Sequence, residues 1–183
     1  MNTYFLSDTH FSHFNIIKHS CRPFSSAEEM DAILIENWNK LVKPNDSVYH
    51  LGDFAFCKLN ELEEKLKMLN GNIHLILGNH DSMIEKNKSK LSKYFASIKN
   101  YNEIKIKDQK IILFHYGQRV WNKSHYGSFQ LHGHSHGSLA PYGKSLDVGI
   151  DCKHLTSDYR PIEFEEIKVY MEKRSIKIVD HHE

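Results

Sequence analysis

Apolar residues fall into short runs along the chain, at Tyr4–Leu6, Val48–Leu51, Ile73–Leu77, Ile111–Phe114, Phe129–Leu131 and Leu146–Ile150. Several of these runs are continuously apolar rather than alternating, the pattern of strands buried on both faces. Glu103–Lys107 and Lys110–Phe114 predict a hairpin that turns at Asp108-Gln109. Between the runs the apolar period lengthens to that of a helix. Residues 25–41 open with a capping box, Ser25 to Glu28 or Ser26 to Glu29, and continue with a stripe of Met30, Ile33, Leu34, Trp38 and Leu41. Residues 59–69 place Leu59, Leu62, Leu66 and Leu69 on one face and stop at Gly71. Residues 82–95, with Ile84, Leu91 and Phe95 among lysines, and residues 162–173, after Pro161, also read as helices. Strands alternating with helices predict an α/β layered fold, with some antiparallel or mixed pairing from the hairpin and the late strands. Nothing repeats and no Pro/Gly-rich linker divides the chain, so residues 1–183 read as one domain.

The polar residues that carry chemistry stand where the apolar runs end. Ser7-Asp8-Thr9-His10 follows the first run and Gly52-Asp53 the second. Gly78-Asn79-His80-Asp81 follows the third, His115 the fourth and Gly133-His134-Ser135-His136 the fifth. Ligands of open α/β sheets bind at the carboxyl ends of the strands, so strands of common direction would bring these loops to one rim. Asp8, His10, Asp53, Asn79, His115, His134 and His136 then supply oxygen and nitrogen donors without a thiolate. They outnumber the ligands of one tetrahedral zinc and suit two cations sharing a carboxylate. Mixed nitrogen and oxygen donors favour Mn, Fe, Co, Ni or Zn over Ca or Mg. In extended backbone, residues two apart point to one side, so Asp8/His10 and His134/His136 are each expected to aim as a pair into one cavity. Glycines just before the ligands permit sharp turns and close backbone approach.

Composition narrows the partners. Hydrophobic residues make up 40% and charged residues 26%, and the net charge of +1 does not indicate nucleic acid binding. No apolar run reaches membrane-spanning length and the first residues do not read as a signal peptide. Cys21, Cys57 and Cys152 form no CxxC pair, which points to a reducing, cytoplasmic setting. The oligomeric state leaves no pattern in the chain.

The five blocks, in this order, resemble the calcineurin-like metallophosphoesterase superfamily: D-x-H as Asp8-Thr9-His10, then Gly52-Asp53, Gly78-Asn79-His80-Asp81, His115 and Gly133-His134-Ser135-His136. The stretches SDTHFSHFNIIKHSCRPF, NWNKLVKPNDSVYHLGDFAF, LHGHSHGSL and LDVGID are similar to a small single-domain bacterial and phage branch. Gly117 departs from that branch, in which Pro is expected after His-Tyr. The resemblance implies a four-layer α/β/β/α sandwich of two mixed sheets flanked by helices. It implies one metal on Asp8, His10, Asp53 and His136, and a second on Asp53, Asn79, His115 and His134, manganese being the expected ion. His80 would stabilise charge on the scissile phosphate or protonate the leaving oxygen, with Asp81 orienting it. The implied reaction is hydrolysis of a phosphodiester, nucleotide-like, by a metal-bridging hydroxide. The alternatives are a phosphomonoesterase acting on a small phosphorylated metabolite, and a non-catalytic scaffold of the same fold. The spacing argues against a lactamase-like site, because no H-x-H-x-D-H occurs.

His13, Asn15 and Arg22, in the loop after the first block, are the expected substrate contacts. Arg22 reads equally as a fork onto phosphate oxygens and as a structural ion-pair partner. Tyr116, Arg119 and Trp121 are placed to flank a base or sugar. Asp147 and Asp151 read as strand-end residues that support the ligands rather than join them. His132 and the lysines between 86 and 99 read as packing and solvated-face residues.

Overall fold

A computed structural model describes residues 1–155 and 157–179; His181 and His182, expected to be a solvated tail, lie outside the described residues. In chain order the elements are β1 (Thr3–Leu6), α1 (Phe14–His19), α2 (Ala27–Leu41), β2 (Ser47–His50), α3 (Leu59–Met68), β3 (Asn72–Ile76), α4 (Ser82–Lys86), α5 (Lys88–Leu91), β4 (Phe95–Lys99), β5 (Tyr101–Ile106), β6 (Gln109–Phe114), β7 (Phe129–His132), β8 (Ser145–Asp147), β9 (Ile162–Glu163) and α6 (Phe164–Glu172). Two mixed sheets result, with strand orders β4-β3-β2-β1-β9 and β5-β6-β7-β8. β1 to β4 run parallel and β9 pairs antiparallel with β1. β5 and β6 form the antiparallel hairpin, and β6, β7 and β8 run parallel.

Side-chain alternation divides the core. Tyr4, Leu6, Val48, Ile73 and Leu75 face a cluster with Met30, Leu34, Trp38, Leu62 and Leu66 of α2 and α3. Phe5 and Ile76, on the opposite face, join Ile111, Leu113, Phe129 and Leu131 of the second sheet and Phe164, Ile167 and Met171 of α6. Each of these large side chains contributes ~1.5–3 kcal/mol by leaving water. On the outer face of the second sheet, Gln130 is held by the segment after β6: its Nε2 donates to Tyr116 O at 3.2 Å. The helices α2 and α3 appear where the apolar stripes predict them. Ser26 is the cap of α2, its side chain accepting from Glu29 N, while Glu29 reaches back to Ser25.

Three expectations change. Residues 82–95 are two short helices, and Phe95 begins the edge strand β4. Asn87 caps and interrupts the helical run, and the aromatic and β-branched residues after Ser92 pair with β3 instead. Residues 162 and 163 form β9, so the last helix starts at Phe164. The short helix α1 has no apolar stripe long enough to announce it. The hairpin turns at Lys107-Asp108, one residue earlier than expected.

The rims of the two sheets are joined. Past the end of β1, Ser7 bridges in parallel to Gly149, just past β8, and Ile150 N donates to Ser7 O at 3.1 Å. The carboxyl ends of β1, β2 and β3 in one sheet and of β6 and β7 in the other therefore open onto one edge. Among the described residues, no helix is long and apolar enough to cross a membrane.

Candidate metal centre

The loops at this rim are tightly strained. Asp8, His10, Asp53, His134 and His136 all have positive φ, between 47° and 68°. The left-handed conformation costs an L-residue ~1–2 kcal/mol, and such outliers persist only where the surroundings over-determine them. Here the chain is pinned by Asp8 N to Gly52 O and His10 N to Asp53 O, both 3.0 Å. His134 N donates to the Asp8 carboxylate at 3.0 and 3.1 Å. Gly133 makes that approach: a Cβ there would lie 1.9 Å from Ser7 Oγ and 2.5 Å from Asp8 Oδ2. The expectation of extended backbone is thus corrected. Asp8 and His10 do meet, but His134 and His136 diverge into neighbouring groups, because each sits in a left-handed turn rather than on a pleat.

Two donor groups form, Asp8 with His10 and His136, and Asp53 with His115 and His134. Asp53 lies between them, its Oδ2 3.6 Å from His10 Nε2 and 3.6 Å from His115 Nε2. Asn79 Oδ1 adds to the second group, 3.0 Å from His115 Nε2 and 2.9 Å from His134 Nδ1.

The donor chemistry fits cations. The buried His10 Nε2 has no hydrogen-bond partner. His115 Nδ1 donates to Leu51 O at 2.6 Å, so in the neutral ring its Nε2 presents a lone pair toward Asn79 Oδ1 and Asp53 Oδ2. Three electron pairs converging in a buried place call for a positive centre. Asp8 is buried and its carboxyl is pushed well above the ordinary carboxylate range by desolvation, with Asp147 and Asp53 adding to the rise against His136. Burial, with Arg22 and the neighbouring histidines, drives His10 down to about 2. Both shifts favour neutral groups over charged ones where no cation offsets the desolvation.

A second layer holds these donors. His136 Nδ1 donates to Asp151 Oδ2 at 2.6 Å, which directs its other nitrogen to the site. Asp151 also accepts from Arg22, Nε to Oδ1 at 2.9 Å and Nη2 to Oδ2 at 2.8 Å. Arg22 spends its remaining reach on Asp8 O at 2.7 Å and Thr9 O at 2.9 Å. Its side chain is fully buried. The substrate-binding expectation for Arg22 is corrected: the guanidinium faces inward and clamps the Asp8–His10 loop to the His136 loop. Asp147 fixes that same loop by accepting from Ser135 Oγ at 2.7 Å and Gly137 N at 2.9 Å.

Asp81 also acts differently from expectation. Its carboxylate accepts from the backbone of Asp53, Phe54 and Gly78, at 2.8–2.9 Å, and makes no hydrogen bond to the His80 ring among the described residues. It braces the Asp53 turn. Burial lifts its carboxyl to about 6 against those three donors.

His80 is exposed, and its backbone N–H donates to Asp53 Oδ1 at 2.9 Å. Its ring lies 5.6 Å from that of His10 and 5.4 Å from that of Phe56. His13 stacks on Phe56 at 4.3 Å, with Nδ1 3.3 Å from His10 Nδ1. Asn15 is exposed on α1. Tyr116 lies against the His134 ring at 4.7 Å. Trp121 is buried and donates to Ser128, so it is not free to flank a ligand. Phe56 was not anticipated. Its only signal in the sequence is an aromatic six residues past the end of β2.

A model of the calcineurin-like phosphoesterase superfamily domain matches residues 1–146. The chain belongs to this superfamily and is a phosphoric ester hydrolase, a class whose members carry divalent metals. The uncharacterised protein MJ1445 of Methanocaldococcus jannaschii is 34% identical over 94% of this chain and 93% of its own length. The solved structure of AQ665 from Aquifex aeolicus, a protein of unknown function, superposes with a TM-score of 0.70 at 29% identity, covering 92% of this chain and 98% of that one.

Proposed function

We propose that residues 1–183 are one domain that hydrolyses a small phosphodiester, nucleotide-like, at a pair of divalent cations. The observation that carries this reading is the position of Asp53, one carboxylate oxygen equidistant from two histidine nitrogens of different donor groups. Asp8, His10, Asp53 and His136 would hold one cation, and Asp53, Asn79, His115 and His134 the other, with manganese the expected ion. When bound, such a pair supplies Lewis acidity toward a phosphoryl oxygen and toward water.

The chain's own groups do the rest. The His115 and His136 rings are fixed in their tautomers by Leu51 O and Asp151. His80, on the open side of the centre, is the group that meets developing charge or hands a proton to the leaving oxygen. His13, stacked on Phe56 beside His10, and Asn15, exposed on α1, are the groups proposed to contact the substrate. Asp81 serves by bracing Asp53. The three cysteines are unpaired, in keeping with a cytoplasmic setting.

The test is a manganese titration with a bis-aryl phosphodiester as reporter. Wild type is expected to bind two ions and turn the ester over. Asp53→Asn should weaken both ions together. Full occupancy of two ions in that variant would refute the shared carboxylate, and inactivity with every first-row divalent ion would refute the hydrolase reading of this site.

A further inference from the structure

A second cavity lies apart from the donor groups, behind the loop that carries His134 and His136. Its volume is about 360 Å³, and none of the seven metal donors lines it. That volume falls in the range of small-molecule sites. One wall is apolar, formed by Leu139, Ala140, Pro141 and Leu146. The rest of the lining is largely polar, and its groups are only partly committed. Arg119 stacks its guanidinium on the Tyr142 ring at 3.9 Å. Arg174 donates to Ser145 O at 2.8 Å and is half buried. Neither arginine pairs with a carboxylate among the described residues. The Asp147 carboxylate, which borders the cavity, is taken up by Ser135, Gly137 and Gly149.

Two acceptors complete the lining. Gln118 Oε1 is buried without a hydrogen-bond partner. His132 Nδ1 donates to Gly133 O at 3.0 Å, so the neutral ring turns a lone pair on Nε2 toward Gly117. Gly117 lets the chain pass close to Leu139 and His132. A Cβ there would lie 2.6 Å from Leu139 Cδ2 and 3.3 Å from His132 Nε2. The departure at Gly117 noted in the sequence therefore has a spatial consequence: any side chain there would displace Leu139 and crowd His132, both of which line the cavity.

We propose that this cavity is a second ligand site that takes a small organic phosphate of mononucleotide size. Its anionic oxygens meet the Arg119 and Arg174 forks. Its ring system lies on the apolar wall, with N–H or O–H groups toward Gln118 and His132. Asp147 borders this cavity and accepts from the Ser135 hydroxyl and Gly137 N on either side of His136, so occupancy is felt at the loop that bears two metal donors.

The experiment is calorimetric titration of the full chain in EDTA with AMP, adenosine, ribose 5-phosphate and inorganic phosphate. AMP is expected to bind, and adenosine and inorganic phosphate each to bind roughly tenfold more weakly or worse. Arg119→Ala should weaken AMP roughly tenfold, the loss of one charge-assisted fork. Gly117→Leu should abolish binding by driving Leu139 and the His132 ring out of their places in the lining. Arg119 is exposed, so its variant is expected to fold even where the larger change is not tolerated.

Absence of AMP binding overturns the proposal. So does AMP binding that Arg119→Ala leaves unchanged, because the phosphate would then sit elsewhere. Inorganic phosphate binding as tightly as AMP removes the organic part of the ligand and also overturns it. Because the titration uses no metal, hydrolase activity without AMP binding sinks this site alone. AMP binding without hydrolysis sinks only the reading of the metal centre.

Discussion

Replacing Asp151 with Asn tests how the metal centre is held together. In the native chain this carboxylate accepts three short bonds, from His136 Nδ1 at 2.6 Å and from Arg22 at 2.8 and 2.9 Å. Every partner is a donor. An Asn of the same shape carries no charge, and its amide N–H₂ must face an Arg22 donor in either orientation, and His136 as well in one of them. Charge-assisted hydrogen bonds contribute ~1.5–3 kcal/mol each. Leaving a buried charge without its partner costs ~3–5 kcal/mol. The larger effect governs, because the Arg22 side chain has no exposure to recover hydration. A loss of ~3–5 kcal/mol is expected, a large share of the ~5–15 kcal/mol that stabilises a typical domain. In urea, with slopes of ~1–3 kcal/mol per molar, the midpoint should fall by roughly 2 M. The same variant should bind the first manganese ion about 10–100-fold more weakly, since His136 loses the partner that orients it. Urea unfolding in EDTA and manganese calorimetry read the two effects separately. A midpoint within ~0.5 M of wild type, together with unchanged metal affinity, would refute the clamp.

Three other outcomes are expected. His80→Ala should lower turnover by roughly two orders of magnitude with both metal sites intact, as steady-state rates beside metal calorimetry would show; loss of metal would instead make His80 a ligand. Gly133→Ala pushes a methyl group into Ser7 Oγ and Asp8 Oδ2 and should cost more than the ~1–3 kcal/mol of ordinary overpacking, seen as a lowered urea midpoint and lost metal; wild-type behaviour would mean the loop moves freely. His50 is fully buried and held down to about 3 by burial, with neighbouring His115 adding to the shift. Gly52 N donates to its Nδ1, and its Nε2 stands 2.9 Å from Thr9 Oγ1, whose own proton goes to Phe54 O. The unfolded chain takes up this proton near the ordinary histidine value and the native chain does not. Stability from this group is therefore complete above ~6.5 and falls as pH drops toward 3, with a slope of up to ~1.4 kcal/mol per pH unit. His50→Gln should flatten urea midpoints measured across that window, and an unchanged slope would contradict the buried neutral ring.

The legible part of the site is the part set by strand ends. A run such as Ile73–Leu77 followed by Gly-Asn-His-Asp announces both a buried strand and the chemistry at its tip. Asp8, Asp53 and His115 were readable in the same way. Arg22 was not, because the sequence left a phosphate fork and a structural pair equally open. The choice depended on Asp151, 129 residues away, whose carboxylate meets it. Asp81 was read from its neighbour His80, yet its partners are backbone N–H groups, which leave no trace in side-chain identity. Helix 82–95 failed for a related reason: the edge of β3 offered unpaired backbone groups, and pairing there outweighed the local helical period.

The sequence by itself determined which chemical groups exist and in what order they arrive, because burial periodicity and donor type are properties of single residues and their near neighbours. It also determined where the backbone could crowd, through the glycines before Asp53, Asn79 and His134. Apart from the family resemblance, no pattern in the chain says which donors meet; the tertiary structure gathers them into two groups. His134 and His136 are separated by one residue and still belong to different groups, since left-handed turns, set by contacts with Asp8 and Asp151, aim them apart. It also sets Asp53 between those groups. A local pattern cannot carry that information, because distances across two sheets are fixed only when both sheets have packed.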